Sequence, residues 1–342
     1  MATEYYKERD RRNTYILNEN LPKLPPLCTD YFNSIALARS ASTMALYSSQ
    51  LATFFTWLYN KDHEHIDPSC YTIEHLKNIE SNQISFFLQE LRANGDNDET
   101  IRGYLRAISA FYKYLNRTGK LDTNPVDAIM RPKHKKSPKV YLDNDDYKKF
   151  SNSVETGFGL SKHESAYREA TGSTERDILI MAILSKTGIR ISELVGLDLE
   201  NIDQEHCSFT VIRKGGNETR VYYSDDISIY LKDYLLKRAQ ILAPGESALL
   251  LSHVGKTKGH RISVRAVEKL VKKYAMAAGV TNAEKMTPHK LRHTCAMALL
   301  KATGDIALVK KQLGHESIVS TTIYAEADES DLQKIRNMIL TE

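Results

Sequence analysis

The chain is short of the features that mark membrane, secreted and zinc-stabilised proteins. No apolar run approaches the roughly 20 residues that span a bilayer. Residues 1–20 are rich in Tyr, Arg, Glu and Asn and have no apolar core, which argues against a secretory signal. The cysteines lie far apart and form no CxxC pair, so neither a disulfide framework nor a zinc ribbon is expected; they are Cys28, Cys70, Cys207 and Cys295. We therefore expect a cytoplasmic protein with reduced cysteines and no membrane segment.

Length and composition predict a globular protein of two domains. The 342 residues are 42% hydrophobic and 26% charged, which is ordinary for globular chains, and one domain usually takes about 100 to 200 residues. The formal charge is only +4, an excess that permits nucleic-acid binding without establishing it. The distribution of the basic residues is therefore more informative than their sum.

Apolar residues recur at helical spacing through the first part of the chain. One stripe consists of Tyr47, Leu51, Phe54 and Leu58, and another of Ile101, Leu105, Ile108, Phe111 and Leu115. No alternating strand pattern interrupts these helices. We predict a small all-helical domain over residues 37–130, preceded by an N-terminal extension of residues 1–36.

Residues 131–139, with the sequence RPKHKKSPK, are strongly basic and contain two prolines, which disfavours a helix. The five cations are Arg131, Lys133, Lys135, Lys136 and Lys139. We predict a domain boundary here. The segment is either a solvated linker or a connector that crosses a DNA backbone, and the second interpretation requires that both flanking domains bind DNA.

Residues 140–324 differ from the first part because they contain an alternating pattern. Phe209 and Val211 precede a Lys-Gly-Gly-Asn turn and a second alternating run, which predicts a β-hairpin with Lys214 at its tip. Residues 249–251 are a candidate third strand. Together with several helical runs, this pattern predicts a mostly helical domain with a small antiparallel sheet. Residues 151–174 have weak periodicity and are interpreted as a long loop or insertion.

Two arginines in this domain are candidates for holding a phosphate. The planar guanidinium donates two parallel hydrogen bonds and keeps its charge, so Arg190 and Arg292 could clamp the non-bridging oxygens of one phosphate. A surface salt bridge is the alternative for either arginine alone, and Glu193 is a ready partner one helical turn after Arg190.

Two histidines flank Arg292 on one predicted helix. His289 lies three residues before the arginine and shares its face. His289 and His293 are also four residues apart, a spacing that suits zinc, but a zinc protease of the HExxH type needs Glu where this chain has Lys290. We interpret His293 as structural.

Tyr324 is the candidate nucleophile. A phenol becomes reactive when cations stabilise the phenolate or a base accepts its proton, and Tyr324 follows His315 by nine residues. Lys214 could protonate a leaving sugar oxygen. With 19 tyrosines in the chain, a packing role is the alternative for Tyr324, as a solvated turn is for Lys214. With the two arginines and His289, these residues suit attack on a phosphodiester and include no carboxylate cluster for a divalent metal.

Four strings resemble the catalytic boxes of the tyrosine site-specific recombinases, the phage-integrase and Xer group. They are TGIRISELVGL, IRKGGNETR, TPHKLRHT and LGHESIVSTTIYA. The strings follow the family's order between Thr187 and Ala325, and the resemblance extends from about Leu37 onward. It implies a mainly α protein in which a SAM-like core-binding domain precedes an α+β catalytic domain of the DNA breaking-rejoining fold. The short N-terminal extension resembles the Xer-like members, which lack an arm-binding domain.

The resemblance also implies a role for each candidate residue. Arg190 and Arg292 would bind the scissile phosphate, Lys214 would protonate the leaving 5′ oxygen, and Tyr324 would form the 3′-phosphotyrosyl bond. His289 and His315 would assist proton transfer and charge stabilisation, and Glu193 would orient Arg190. No metal, ATP or other cofactor is implied, since the covalent bond conserves the energy of the phosphodiester.

The expected partners are double-stranded DNA and further copies of the chain. By resemblance, the two domains would grip an inverted-repeat core site with the basic linker across the duplex, as a dimer on one site and a homotetramer on two. Residues 325–342 carry the apolar stripe Leu332, Ile335 and Ile339, which is expected to dock on a neighbouring protomer, with its own domain as the alternative. Integration, excision and resolution of DNA, including mobile elements, all remain open.

Two other functions compete with a recombinase. A type IB topoisomerase would use similar chemistry to relax supercoils, although the IRKGGNETR and LGH strings favour the recombinase. A catalytically silent DNA-binding regulator is the second rival, and the complete set of reactive residues argues against it. For residues 151–174 we hypothesise a contact with DNA or with another protomer.

Overall fold

The computed structural model describes residues 4–61, 65–130, 140–213 and 216–314. These residues form two compact units, and the division falls between residues 137 and 138. That position lies inside the basic segment 131–139, whose own structure is outside the described residues.

The first unit consists of helices throughout its described residues. The bounds are α1 Glu4–Asn20, α2 Pro26–Ile35, α3 Ala41–Lys61, α4 Ile73–Lys77, α5 Ser81–Ala93 and α6 Asp98–Arg117. The start of α6 is set by Asn97, whose side-chain oxygen accepts hydrogen bonds from the backbone N–H groups of Glu99 at 3.0 Å and Thr100 at 2.9 Å. Such a cap satisfies amides that have no partner within the helix.

Both predicted apolar stripes face one core. Phe54, Phe55, Phe87 and Phe111 are at most 1% exposed. The ring centroids are 5.2 Å apart for Phe54 and Phe87 and 6.2 Å apart for Phe55 and Phe111. These tilted and edge-to-face arrangements are the favourable ones for aromatic pairs.

The core of the first unit begins earlier in the chain than the predicted helical domain. Leu17 of α1, with Cys28 and Phe32 of α2, is buried in the same hydrophobic cluster as the aromatic residues. Residues 1–36, predicted as an extension, therefore supply part of this core. No stripe revealed α1 in the sequence, because Tyr6 and Leu17 are its buried residues and the rest is largely polar.

The second unit combines helices with a small sheet. Its helices are α7 Asn144–Thr156, α8 Lys162–Thr171, α9 Thr174–Thr187, α10 Ile191–Val195, α11 Asp225–Ile241, α12 Val264–Ala278, α13 Pro288–Thr303 and α14 Ile306–Leu313. Its strands are β1 Ile202–Asp203, β2 Ser208–Ile212 and β3 Glu218–Tyr222. The predicted fold class, mainly helical with a small antiparallel sheet, is confirmed. None of the described helices of the protein is long and apolar enough to cross a membrane.

The strands pair antiparallel in the order β1-β2-β3, with Phe209 opposite Val221. The hairpin is therefore confirmed, but the candidate strand at residues 249–251 is wrong, because Leu251 forms an isolated bridge to Arg261. Residues 249–251 are at most 1% exposed. Their hydrophobicity reflects burial, which a short apolar run cannot distinguish from a strand.

Helix α9 lies in the core of the second unit, and the Gly188 that caps its end lies two residues before Arg190. The end of this helix therefore sets the position of Arg190. Leu179, Ile183 and Leu184 are fully buried. The helix ends at Gly188, whose φ of +64° is in the left-handed region, and a Cβ added there would lie 2.5 Å from Leu313 Cδ2. Glycine is required by both the conformation and the close packing.

Residues 151–174 contain a helix, so the prediction of a long loop is wrong. Helix α8 is attached to its domain by the buried Arg168, whose Nη2 donates a hydrogen bond to Val154 O at 2.6 Å. The same guanidinium lies 5.8 Å from the ring centroid of Tyr274. Periodicity missed this helix because a charged side chain, and not an apolar stripe, joins it to the domain.

Candidate active site

Arg190 is held by a buried carboxylate at the start of α10. Its backbone N–H donates to Glu193 Oε2 at 2.8 Å, and its Nη1 donates to Glu193 Oε1 at 2.7 Å. The Arg190 side chain is 38% exposed, whereas that of Glu193 is 2% exposed. The pair is therefore not a surface salt bridge: a buried acid orients a partly exposed arginine.

Arg292 is buried beneath the same region. It lies on α13, which begins at Thr287 and Pro288, and it is 3% exposed. Nη1 donates to Gly188 O at 2.5 Å, and Nη2 donates to Leu313 O at 2.6 Å. Arg292 thus joins the end of α9 to the end of α14.

His289 lies in the first turn of α13 and is exposed to solvent. Its ring meets that of His293 edge-on, with the centroids 4.8 Å apart. The pKa of His289 is below its usual range, first because protein surrounds part of the ring, and then because Arg292, Lys290 and Arg190 disfavour a further positive charge. Among the residues that the structure describes, no three His, Cys, Asp or Glu side chains are grouped to hold a metal.

Arg213 is a member of this site that the sequence analysis missed. It is 8% exposed, and its Nη1 donates to Leu313 O at 2.7 Å and approaches Glu193 Oε2 at 3.4 Å. The signal was present in the alternation of β2, since Phe209 and Val211 face the core and the next inward position is Arg213. An arginine on a buried strand face requires polar partners, so this alternation predicts a buried polar contact at position 213.

The three arginines meet at the end of α14. The carbonyl oxygens there accept hydrogen bonds from Arg213, through Nη2 to Gln312 O at 3.2 Å, and from Arg190, through Nη2 to Gly314 O at 3.3 Å. A helix C-terminus carries partial negative charge and attracts cations. Three permanent positive charges beside the single carboxylate of Glu193 make this region suited to an anion such as a phosphate.

The remaining predicted site residues are Lys214, His315 and Tyr324, which lie outside the described residues together with segments 131–139 and 325–342. Two of them adjoin described positions. Lys214 directly follows Arg213, and His315 directly follows Gly314. The described residues of the candidate site are therefore Arg190, Glu193, His289 and Arg292, which were predicted, and Arg213, which was not; their roles stay a prediction.

Residues 141–331 match the model of the phage integrase family, and residues 29–119 match the N-terminal SAM-like domain found with it. The first match covers more than half of the chain. The protein belongs to the phage integrase family, the tyrosine recombinases, which cleave and rejoin DNA strands.

Curated relatives give the same assignment. The chain is 30% identical to the tyrosine recombinase XerC of Caldanaerobacter subterraneus subsp. tengcongensis over 328 residues, covering 92% of this chain and 87% of the relative. It is 30% identical to the tyrosine recombinase XerS of Streptococcus sanguinis over 345 residues, covering 90% and 95%. The predicted function, site-specific DNA recombination by a tyrosine recombinase, is confirmed, and neither rival function is favoured.

Solved structures agree on the fold. The XerH site-specific recombinase bound to difH substrate, in a pre-cleavage complex, matches with a TM-score of 0.63 and 23% identity, covering 89% of this chain and 80% of that one. The Tn1549 transposon integrase in complex with transposon right end DNA matches with a TM-score of 0.65 and 18% identity, covering 92% and 99%. At these identities, the likeness concerns the fold alone.

Proposed function

We propose that this recombinase cleaves DNA by attack of Tyr324 on a phosphate held by Arg190 and Arg292. The observation that carries the proposal is the convergence of three arginines on residues 312–314, directly before His315 and ten residues before Tyr324. Pre-oriented cations of this kind stabilise the charge that develops on a five-coordinate phosphorus.

The exposed edge of Arg190 supports direct contact with the phosphate. Each terminal nitrogen of an arginine carries two hydrogens. One from each is used on Glu193 and Gly314, so the partly exposed side chain keeps donors for an incoming anion. Glu193 orients these donors and does not itself react.

Cleavage exchanges the phosphodiester bond of DNA for a bond to tyrosine. Tyr324 Oη bonds to phosphorus while the bond from phosphorus to the 5′ oxygen breaks, and Lys214 gives a proton to that oxygen. The phenolic proton passes to a neutral imidazole, a form that the lowered pKa of His289 favours at neutral pH. His315 assists in stabilising charge. A 5′ hydroxyl of another strand can then reverse the step without ATP.

We further propose that the protein works as an assembly on DNA. The five cations of the basic segment 131–139 would contact phosphates where the linker crosses the duplex. The chain would bind one inverted-repeat site as a dimer and pair two sites as a homotetramer, with the tail 325–342 docked on a neighbouring protomer. Two solved relatives support parts of this view, since XerH is bound to its difH substrate and a lambda integrase tetramer is bound to a Holliday junction. Such an enzyme would act in the cytoplasm, where it reaches DNA.

A suicide substrate tests the proposed nucleophile. Paired inverted repeats beside the coding gene provide the duplex, with a nick that lets the cleaved fragment diffuse away and traps the covalent complex. We expect a trapped complex with the unaltered protein and none with Tyr324→Phe. Tyr222→Phe is the matched control, because Tyr222 is an exposed tyrosine on β3 and should leave trapping unchanged. Equal trapping by Tyr324→Phe would refute the assignment.

A further inference from the structure

Arg213 is a buried arginine that directly follows strand β2 and directly precedes Lys214. Its backbone N–H donates to Asn217 O at 2.8 Å, and its own carbonyl accepts from the Gly216 N–H at 3.1 Å. These two bonds join Arg213 to the residues that follow positions 214–215, which themselves lie outside the described residues. The backbone of Arg213 is therefore tied directly to Gly216 and Asn217.

The side chain of Arg213 is held by two other segments of the site. Its guanidinium donates to the carbonyls of Leu313 and Gln312 at 2.7 and 3.2 Å, and it pairs with Glu193 at 3.4 Å. Glu193 in turn orients Arg190, and Leu313 O also accepts from Arg292. One buried side chain thus connects the hairpin, the acid that orients Arg190, and the end of α14.

The backbone of Gly314 packs closely against the Arg213 guanidinium. Gly314 has a φ of +64°, and a Cβ added there would lie 2.7 Å from Arg213 Cζ. The planar fork reaches two carbonyls and a carboxylate at once, whereas a lysine ammonium is a single point charge on a flexible stem. Lysine would keep the positive charge but lose the simultaneous contacts.

We propose that Arg213 is a positioning residue for Lys214: it ties the described end of the hairpin to the end of α14, and the proton donor needs this anchor to reach the leaving oxygen. This inference rests on the proposed role of Lys214. The Arg213 guanidinium pairs with Glu193 and donates to the carbonyls of Leu313 and Gln312. In this proposal Arg213 acts through Lys214 and through the segment before His315, while Arg190 and Arg292 hold the phosphate.

The test uses Arg213→Lys on two suicide substrates that differ in one atom. The first has the natural 5′ oxygen at the scissile phosphate, and the second has a bridging 5′ sulfur, which leaves as a thiolate and needs no proton because thiols are far stronger acids than alcohols. We expect cleavage of the oxygen substrate to slow by about 10- to 100-fold, the effect of a small misplacement of a reacting group. The sulfur substrate should be cleaved within about 3-fold of the rate of the unaltered protein, and DNA binding should be unchanged.

Two control variants separate this role from general damage. Arg238→Lys removes another buried fork that grips main-chain carbonyls, those of Ala248 and Glu246, and should cleave both substrates at the normal rate. Lys214→Ala should be slow with oxygen and rescued by sulfur. If thermal unfolding shows that Arg213→Lys is not folded, Gly314→Ala is measured on the same two substrates in its place. The added Cβ would displace the Arg213 guanidinium.

Each outcome decides the inference. Rescue of both Lys214→Ala and Arg213→Lys by sulfur supports it. If sulfur rescues Lys214→Ala but not Arg213→Lys, the proposed role of Lys214 as the proton donor stands and the positioning role of Arg213 is refuted. Normal cleavage of the oxygen substrate by Arg213→Lys would also refute the positioning role. Failure of sulfur to rescue Lys214→Ala would refute the proposed donor, and the inference about Arg213 would fall with it.

Discussion

The core of the first unit and the candidate active site of the second unit are built from different kinds of buried residue. In the first unit the buried residues are mainly aromatic and aliphatic, with Phe54, Phe55 and Phe111 fully enclosed. In the second unit the site is organised by buried charges, since Arg213, Glu193 and Arg292 are each at most 8% exposed. Apolar packing is tolerant of direction, whereas hydrogen bonds are not. We infer that the first core supplies stability and that the buried charges of the second unit supply geometry.

The sharpest way to break this comparison is to remove a buried charge. Arg292→Ala should slow cleavage by about 10³-fold, because it deletes one of the two proposed phosphate clamps. It should also destabilise the second unit by about 1–3 kcal/mol, because Gly188 O and Leu313 O lose a donor. Single-turnover cleavage at saturating DNA and urea unfolding measure the two effects.

Arg238→Ala is the control for this experiment. It also strips a buried arginine from main-chain carbonyls, so it should cost similar stability while the folded protein cleaves normally. An equal loss of cleavage in both variants would mean that Arg292 acts only through stability.

Removing apolar mass from the first unit should give the reverse pattern. Phe111→Ala is expected to destabilise that unit by about 3–5 kcal/mol, the range for deleting a large buried aromatic side chain, while the cleavage step of folded, DNA-bound protein stays unchanged. Phe86→Ala is the matched control, because Phe86 is 61% exposed and its loss should have little effect. Differential scanning calorimetry and single-turnover cleavage distinguish the outcomes. A slow cleavage step in fully bound Phe111→Ala would show that the first core also sets active-site geometry.

The smallest expected effect is the pH dependence that His289 contributes. Its pKa is lowered in the folded protein, so the unfolded chain binds more protons as the pH falls below the ordinary histidine value of about 6.5. Stability from this group is therefore fully present above that value and declines as the pH falls toward the folded pKa. Cleavage that needs the neutral ring should persist below pH 6.5 and decline only at the lowered pKa.

A pH–rate profile of cleavage measures this decline. His289→Gln should remove the acidic limb or move it, whereas His260→Gln, at an exposed residue of the same unit, should leave the profile unchanged. A wild-type limb centred at or above pH 6.5 would contradict the neutral role of His289.

The helices that the sequence predicts are those with an apolar face, and the helices that it does not predict lack one. The α3 and α6 helices were visible because their apolar residues repeat at the helical period and meet in one core. Helix α8 was hidden because Arg168 is its anchor, and α1 because few of its residues are buried. Pattern reasoning detects apolar faces, and it fails where a charged side chain does the packing.

The site shows the same limit. Arg190, Glu193 and Arg292 were predicted because their chemistry and motif spacing indicated a phosphate site. Arg213 was not, because a basic residue beside a glycine-rich turn looks like a solvated one. The alternation of β2 indicates an inward side chain at position 213, but the carbonyls that accept from it lie about 100 residues later in the chain, and no local pattern encodes a contact of that range.

Tyr324 is proposed to become covalently joined to DNA. Mass spectrometry of the trapped complex, after nuclease and protease digestion, identifies the residue that carries the nucleotide. We predict a single modified peptide that carries a nucleotide joined through its 3′ phosphate to Tyr324. Attachment to any other residue, or through a 5′ phosphate, would refute the proposed nucleophile.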